Sequence, residues 1–164
     1  PRKPRPASTV EARRTEVDVA RRSGARPKSV FQIGGAGSVG TGSIRGMPHL
    51  PMLRDADFAI WPFHEPEGRP RVLEIYPRLM TGSVVKSRAS ARAGHLAAGF
   101  PEIRGRLEAL AVSSDDAFDA AISAVIMARH EGAISRLAPT GDPVERLEGR
   151  IWWPGVSAPG PSNR

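Results

Sequence analysis

Apolar positions along this chain fall in short, broken groups. The first is thin: Val10, Val17 and Ala20 share one side of a helix predicted over residues 10 to 22, with Thr9 as its N-cap. Before it, the prolines of PRKPRPAST block both helix and central strand. Val30, Phe31 and Ile33 follow, and the chain then becomes glycine-rich up to Met47. DFAIWPF, residues 57 to 63, reads as a strand whose end Pro62 places at an edge or bulge. HEPEGRP reads as a turn, and RVLEIY, residues 71 to 76, as a second strand, so the two predict a hairpin. Residues 83 to 112 mix small residues and arginine, with breaks at Gly94, Gly99 and Pro101. Ser113 to His130 is the clearest helix: Ser114 caps it, Asp115 and Asp116 sit where the helix dipole favours acids, and Gly132 is a natural stop. RIWW, residues 150 to 153, reads as a closing strand. Strands, then helix, then strand predict a mixed α/β domain.

Two carboxylate positions stand out from this pattern. In the strand VLEIYP, alternation puts Val72, Glu74 and Tyr76 on one face. A carboxylate in so apolar a strand needs a partner: an arginine such as Arg78, a hydrogen-bond network, or a metal ion. In SSDDAFDAAISAVIMARH, winding at 100° per residue gathers Phe118, Ala121, Ile122 and Val125 into an apolar stripe. Asp115, Asp116, Asp119, Ser123 and His130 fall within one other sector. Asp115 and Asp116 can be explained as first-turn acids, whereas Asp119 lies one turn deeper. Asp116 and Asp119, three residues apart, can point toward one ion. Hard oxygen ligands of this kind suit Mg²⁺ or Mn²⁺ and require neither His nor Cys.

Charge changes the picture less than the total suggests. The 164 residues carry a net charge of +7, which normally points to nucleic acid. Residues 1 to 28 hold +6 of it, leaving the remainder near neutral. Such a leader is either a solvated tail or an arm that contacts phosphates. The division expected is therefore a basic leader over residues 1–28, a domain over 29–154 and a disordered tail over 155–164. Cysteine is absent, which excludes disulfides, thiolate metal sites and cysteine nucleophiles and fits a cytoplasmic location. No run of 18 apolar residues predicts a membrane span. Pro1 in place of Met suggests a chain processed or cut from something longer.

Gly35, Gly37 and Gly40 spell the G-x-G-x-x-G of dinucleotide sites. Its context is wrong, because only FQI precedes it and Met47-Pro48 and Pro51 interrupt the helix that should follow. The Gly-rich loop 34–42 reads better as a turn or a close approach of backbones. The four histidines have no metal-ligand spacing, and 5% aromatic content is too sparse for a base-stacking platform.

The segments RRTEVDVARRSGARPKSVFQIGGAGSVGTGS, DFAIWPF, LEIYPR, SSDDAFDAAISAVIMA and LEGRIWWP, in that order over residues 12 to 154, resemble domain-of-unknown-function family 429. That family is similar to predicted nucleases of the RNase H-like superfamily. The resemblance implies an RNase H-like mixed sheet with flanking helices and a metal-dependent phosphodiester hydrolase using Mg²⁺ or Mn²⁺. It carries the strand carboxylate onto Glu74 and the late helix carboxylates onto Asp116 and Asp119. Arg78 and Lys86 are the candidate substrate-binding cations. RNase H-like folds open with a hairpin bearing an essential Asp, and residues 1 to 28 hold no such strand. The first strands are thus expected to be missing, supplied by another chain, or lost together with catalysis. Exposed sheet edges then predict self-association. The alternative function is a non-catalytic module that binds nucleic acid or protein.

Overall fold

The computed structural model describes residues 11–35 and 38–156. Thr9, Val10, the prolines of PRKPRPAST, Gly37 of the glycine motif and the tail from residue 157 lie outside the described residues. The protein is mixed α/β, about half helical, with sheets of only two strands. The described residues fall into two compact units, one within 11–74 with 138–151, the other within 75–137 with 152–156. No helix of the described residues is long and apolar enough to cross a membrane.

The first unit begins with α1 (Arg14–Ser23). Its first turn closes through Glu16, whose carboxylate accepts the Arg13 backbone N–H at 2.9 Å. It ends at Gly24, whose left-handed φ of 70° lets the backbone N–H return to the Ala20 carbonyl. The buried side is Thr15, Glu16 and Val19, while Val17 is exposed, so the apolar face predicted from Val17 and Ala20 is displaced. Val17 loses to Glu16 because the Glu16 carboxylate is needed inside, where it also accepts the Val30 backbone N–H. Part of the basic leader is therefore built into the body of this unit.

After Ser29 the chain doubles back on itself. The Gly40 N–H donates to the Gln32 carbonyl at 3.0 Å and Thr41 Oγ1 to the Ile33 carbonyl at 3.0 Å. A Cβ at Gly40 would collide with the Val30 carbonyl oxygen, so this glycine serves close backbone packing. α2 (Gly40–Gly46) and α3 (His49–Asp55) follow, separated at Met47-Pro48. This stretch covers little of its apolar surface: Phe31, Ile33, Ile44, Met47 and Met52 are all exposed.

β1 (Ala59–Ile60) and β2 (Arg71–Val72) pair in register Ala59↔Arg71 and Ile60↔Val72, and they run parallel. The predicted antiparallel hairpin is thus corrected. The Phe63 and His64 N–H groups both turn back to the Ile60 carbonyl. The chain then travels through residues 64–70 and enters β2 in the direction it left β1. A tight two-residue reversal would have given the antiparallel pair. RVLEIY is also broken, into β2 and β3 (Glu74–Ile75). β3 and β4 (Ile151–Trp152) make the other two-stranded sheet, and the chain crosses from one unit to the other inside both strands. α9 (Glu145–Glu148) precedes β4 and packs with α1. The Ile151 N–H donates to Thr15 Oγ1 at 2.9 Å, and Trp61 Nε1 donates to the Ala138 carbonyl at 3.0 Å.

The second unit is helical: α4 (Arg78–Thr81), α5 (Ala89–Gly99), α6 (Arg106–Ser113), α7 (Asp115–Arg129) and α8 (Glu131–Ile134). The stretch from 83 to 112, ambiguous in sequence, resolves into α5 and α6 with the break near Gly99 and Gly105. α7 forms as expected, with Ser114 Oγ accepting the Ala117 N–H at 3.1 Å. Phe118 and Ile122 are fully buried on the predicted stripe. Gly132 does not stop it: α7 ends at Arg129 and Gly132 lies within α8. His130 breaks the helix instead, at φ −111° and ψ 15°.

Candidate functional site

Glu74, at the end of the first unit, has its partner in the same unit. Arg13 Nη2 meets Glu74 Oε1 at 2.5 Å and Nη1 meets Oε2 at 2.8 Å, a bidentate pair. The guanidinium makes two further bonds: Nη1 donates to the Glu148 carbonyl at 2.9 Å and Nε to Glu16 Oε1 at 3.1 Å. Arg13 is only 8% exposed. Burial works against its charge, but the two glutamates outweigh burial and hold its pKa above the ordinary arginine value. Both oxygens of Glu74 are therefore engaged by a cation 61 residues earlier in the chain. Of the partners the strand pattern allowed, the arginine is realised, and it is Arg13. Arg78 donates to the Val84 carbonyl at 3.3 Å, tying down the turn after α4.

The helix carboxylates belong to the second unit. Arg92 of α5, itself buried, reaches Asp115 at 2.9 Å, the Val112 carbonyl at 2.9 and 2.5 Å, and the Lys86 carbonyl. That one guanidinium fixes the Lys86 loop, the end of α6 and the start of α7 together. Lys86 in turn sends its ammonium to Asp119, with Nζ 2.6 Å from Oδ2 and 2.9 Å from Oδ1. Asp116 is exposed and makes no ion pair or hydrogen bond among the described residues.

Asp116, Asp119 and Ser123 line one cavity of about 460 Å³, whose apolar walls include Ile75, Pro77 and Met127. Ser123 is 4% exposed, and its Oγ has no hydrogen-bond partner. A buried hydroxyl without a partner is uncommon and calls for an explanation, such as an ordered water or an ion. The sequence reading put Ser123 in the acidic sector but gave it no role, and its isolation is visible only in three dimensions. The three oxygen-bearing side chains follow each other at one-turn intervals on α7.

The donor set of two carboxylates and a hydroxyl fits one hard divalent cation that keeps waters in its remaining positions. The described residues contain no group of three or more His, Cys, Asp or Glu able to hold a metal ion, so waters would have to supply most of the cation's ligands. Asp119 also already carries the Lys86 ammonium.

Comparison of the chain with protein-family models, curated proteins and solved structures gives no match.

Proposed function

We propose that this chain carries part of a metal-dependent nuclease of the RNase H-like kind. Asp116 and Asp119 are its helix carboxylates, and a nucleic-acid phosphodiester is its substrate. The observation that carries this reading is the joint opening of Asp116, Asp119 and the unpartnered Ser123 onto one cavity. A bound Mg²⁺ or Mn²⁺ would supply an activated water and charge neutralisation at the leaving oxygen. Asp116 and Asp119 would hold it, and Arg92, through Asp115 and the Lys86 loop, positions the helix that presents them. Glu74 we assign to the Arg13 ion pair. Under this reading the resemblance to family 429 reflects ancestry.

The test is a Mn²⁺ titration of thermal unfolding on the parent and on Asp119→Ala. Mn²⁺ is expected to raise the unfolding temperature of the parent and leave the variant unchanged. A folded parent that ignores Mn²⁺ would sink the proposal.

A second reading, a non-catalytic module that binds nucleic acid or protein, is favoured by one observation. From Val19 to Arg54 there is no carboxylate, and Arg21, Arg22, Arg26 and Arg45 make no ion pair or hydrogen bond among the described residues. Unpaired cations of this kind suit a phosphate backbone, and salt-sensitive binding without cleavage is the signature.

A further inference from the structure

Lys86 already neutralises one of the two cavity carboxylates. Its ammonium lies against both oxygens of Asp119 at 2.6 and 2.9 Å, and Asp119 lines the cavity that Asp116 and Ser123 also line. Its backbone is held separately: the Lys86 N–H donates to the Val84 carbonyl at 3.1 Å, and its carbonyl accepts from Arg92. The backbone is thus held independently of the four-carbon stem that carries the ammonium. A lysine ammonium is a compact point charge on a flexible stem, unlike the planar fork of an arginine. Asp119 without Lys86 would be a half-buried carboxylate next to a second, unpaired one, an arrangement that like-charge repulsion disfavours.

We infer that Lys86 is a resident counter-ion of Asp119. It withdraws from the carboxylate when the site takes a divalent cation, and its freed ammonium then contacts a non-bridging oxygen of a bound phosphodiester. The inference rests on the reading of Asp116 and Asp119 as cation ligands and adds to it a competition within the chain. No bond is made or broken in this step; one ion pair is exchanged for another. Two consequences separate it from a merely structural lysine. Removing the ammonium should tighten cation binding, since the cation no longer competes with it. The same removal should weaken the phosphodiester, since its contact is gone.

The experiment measures Mn²⁺ affinity by titration calorimetry on the full chain, for the parent, Lys86→Met, Lys86→Gln and Asp119→Asn, with circular dichroism to check folding. Loss of the competing charge is expected to tighten Mn²⁺ roughly tenfold in Lys86→Met, a size in keeping with one partly buried ion pair. Lys86→Gln serves the same purpose if the methionine variant does not fold. In saturating Mn²⁺, a dinucleoside monophosphate should raise the unfolding temperature of the parent and not of the Lys86 variants. Unchanged or weaker Mn²⁺ binding in both Lys86 variants, with binding lost in Asp119→Asn, would overturn the Lys86 role and leave the acidic site standing. No Mn²⁺ binding by any folded variant overturns both.

Discussion

Two ion pairs in this molecule use the same chemistry toward different ends. Arg13 and Glu74 in the first unit, and Lys86 and Asp119 in the second, each join a cation to a carboxylate distant in sequence. Around Arg13 the network is closed. Both oxygens of Glu74, the Glu148 carbonyl and the buried Glu16 take up its donors. Around Lys86 the network is open: an unpaired Asp116 and a hydroxyl without a partner share the cavity with Asp119. An ion pair whose surroundings are satisfied holds structure together. One beside unsatisfied oxygens is placed to exchange its cation for a ligand.

That contrast can be broken at several points. The largest effect is expected at Arg13. Arg13→Met keeps the bulk but strands Glu16, which is 3% exposed, without its cation, and should cost about 3–5 kcal/mol in urea unfolding. A cost below about 1 kcal/mol would mean that the network is not what holds α1 in its unit. At Ser123 the sign should reverse. Its hydroxyl loses water on folding and gains no hydrogen bond in return, so Ser123→Ala should be neutral or stabilising by up to about 1 kcal/mol. A clear destabilisation would show that the hydroxyl has a partner after all, and would remove the reason for regarding this cavity as open.

The smallest effect concerns acid. Asp142 caps the turn into α9, accepting the Val144 N–H at 2.8 Å, and pairs with Arg14 at 2.6 Å. The hydrogen bond from Arg14 is the main cause holding its pKa below the ordinary aspartate value, with the Glu145 and Val144 N–H groups adding to it. A group whose folded pKa is depressed contributes stability that is complete above its unfolded value, near roughly 3.9 for aspartate. That contribution is lost as the pH falls through the lower folded value. Stability of the parent should therefore fall more steeply than that of Asp142→Asn below about pH 4. Parallel pH profiles for the two would refute the linkage.

The legible parts of this fold are those that local rules decide. α7 was readable because Ser114, the early acids and the apolar stripe all lie within one helix. Asp116, Asp119 and Ser123 shared a sector of it for the same reason. The parallel pairing of β1 with β2 was not readable, since direction depends on the path of residues 61–70 and the strands are only two residues long. Arg13 looked like one more charge in a basic leader, because its partners are 61 and 135 residues away. Lys86 could be suspected as a useful cation, but its seat on Asp119, 33 residues on, needed the folded chain.

The division of the chain sets an order of events during synthesis. The first unit is interrupted at Glu74 and resumes only at Ala138. When α1 leaves the ribosome, neither Glu148 nor Ile151 has been made, yet Arg13 and Thr15 depend on them. The helices from α4 to α8 are translated in the interval, and their contacts are largely between neighbours along the chain. Nascent chains should thus hold the packed helices α4 to α8 while Arg13 still waits for its last acceptor, and a stall in translation before residue 148 would leave Arg13 with Glu16 and Glu74 alone.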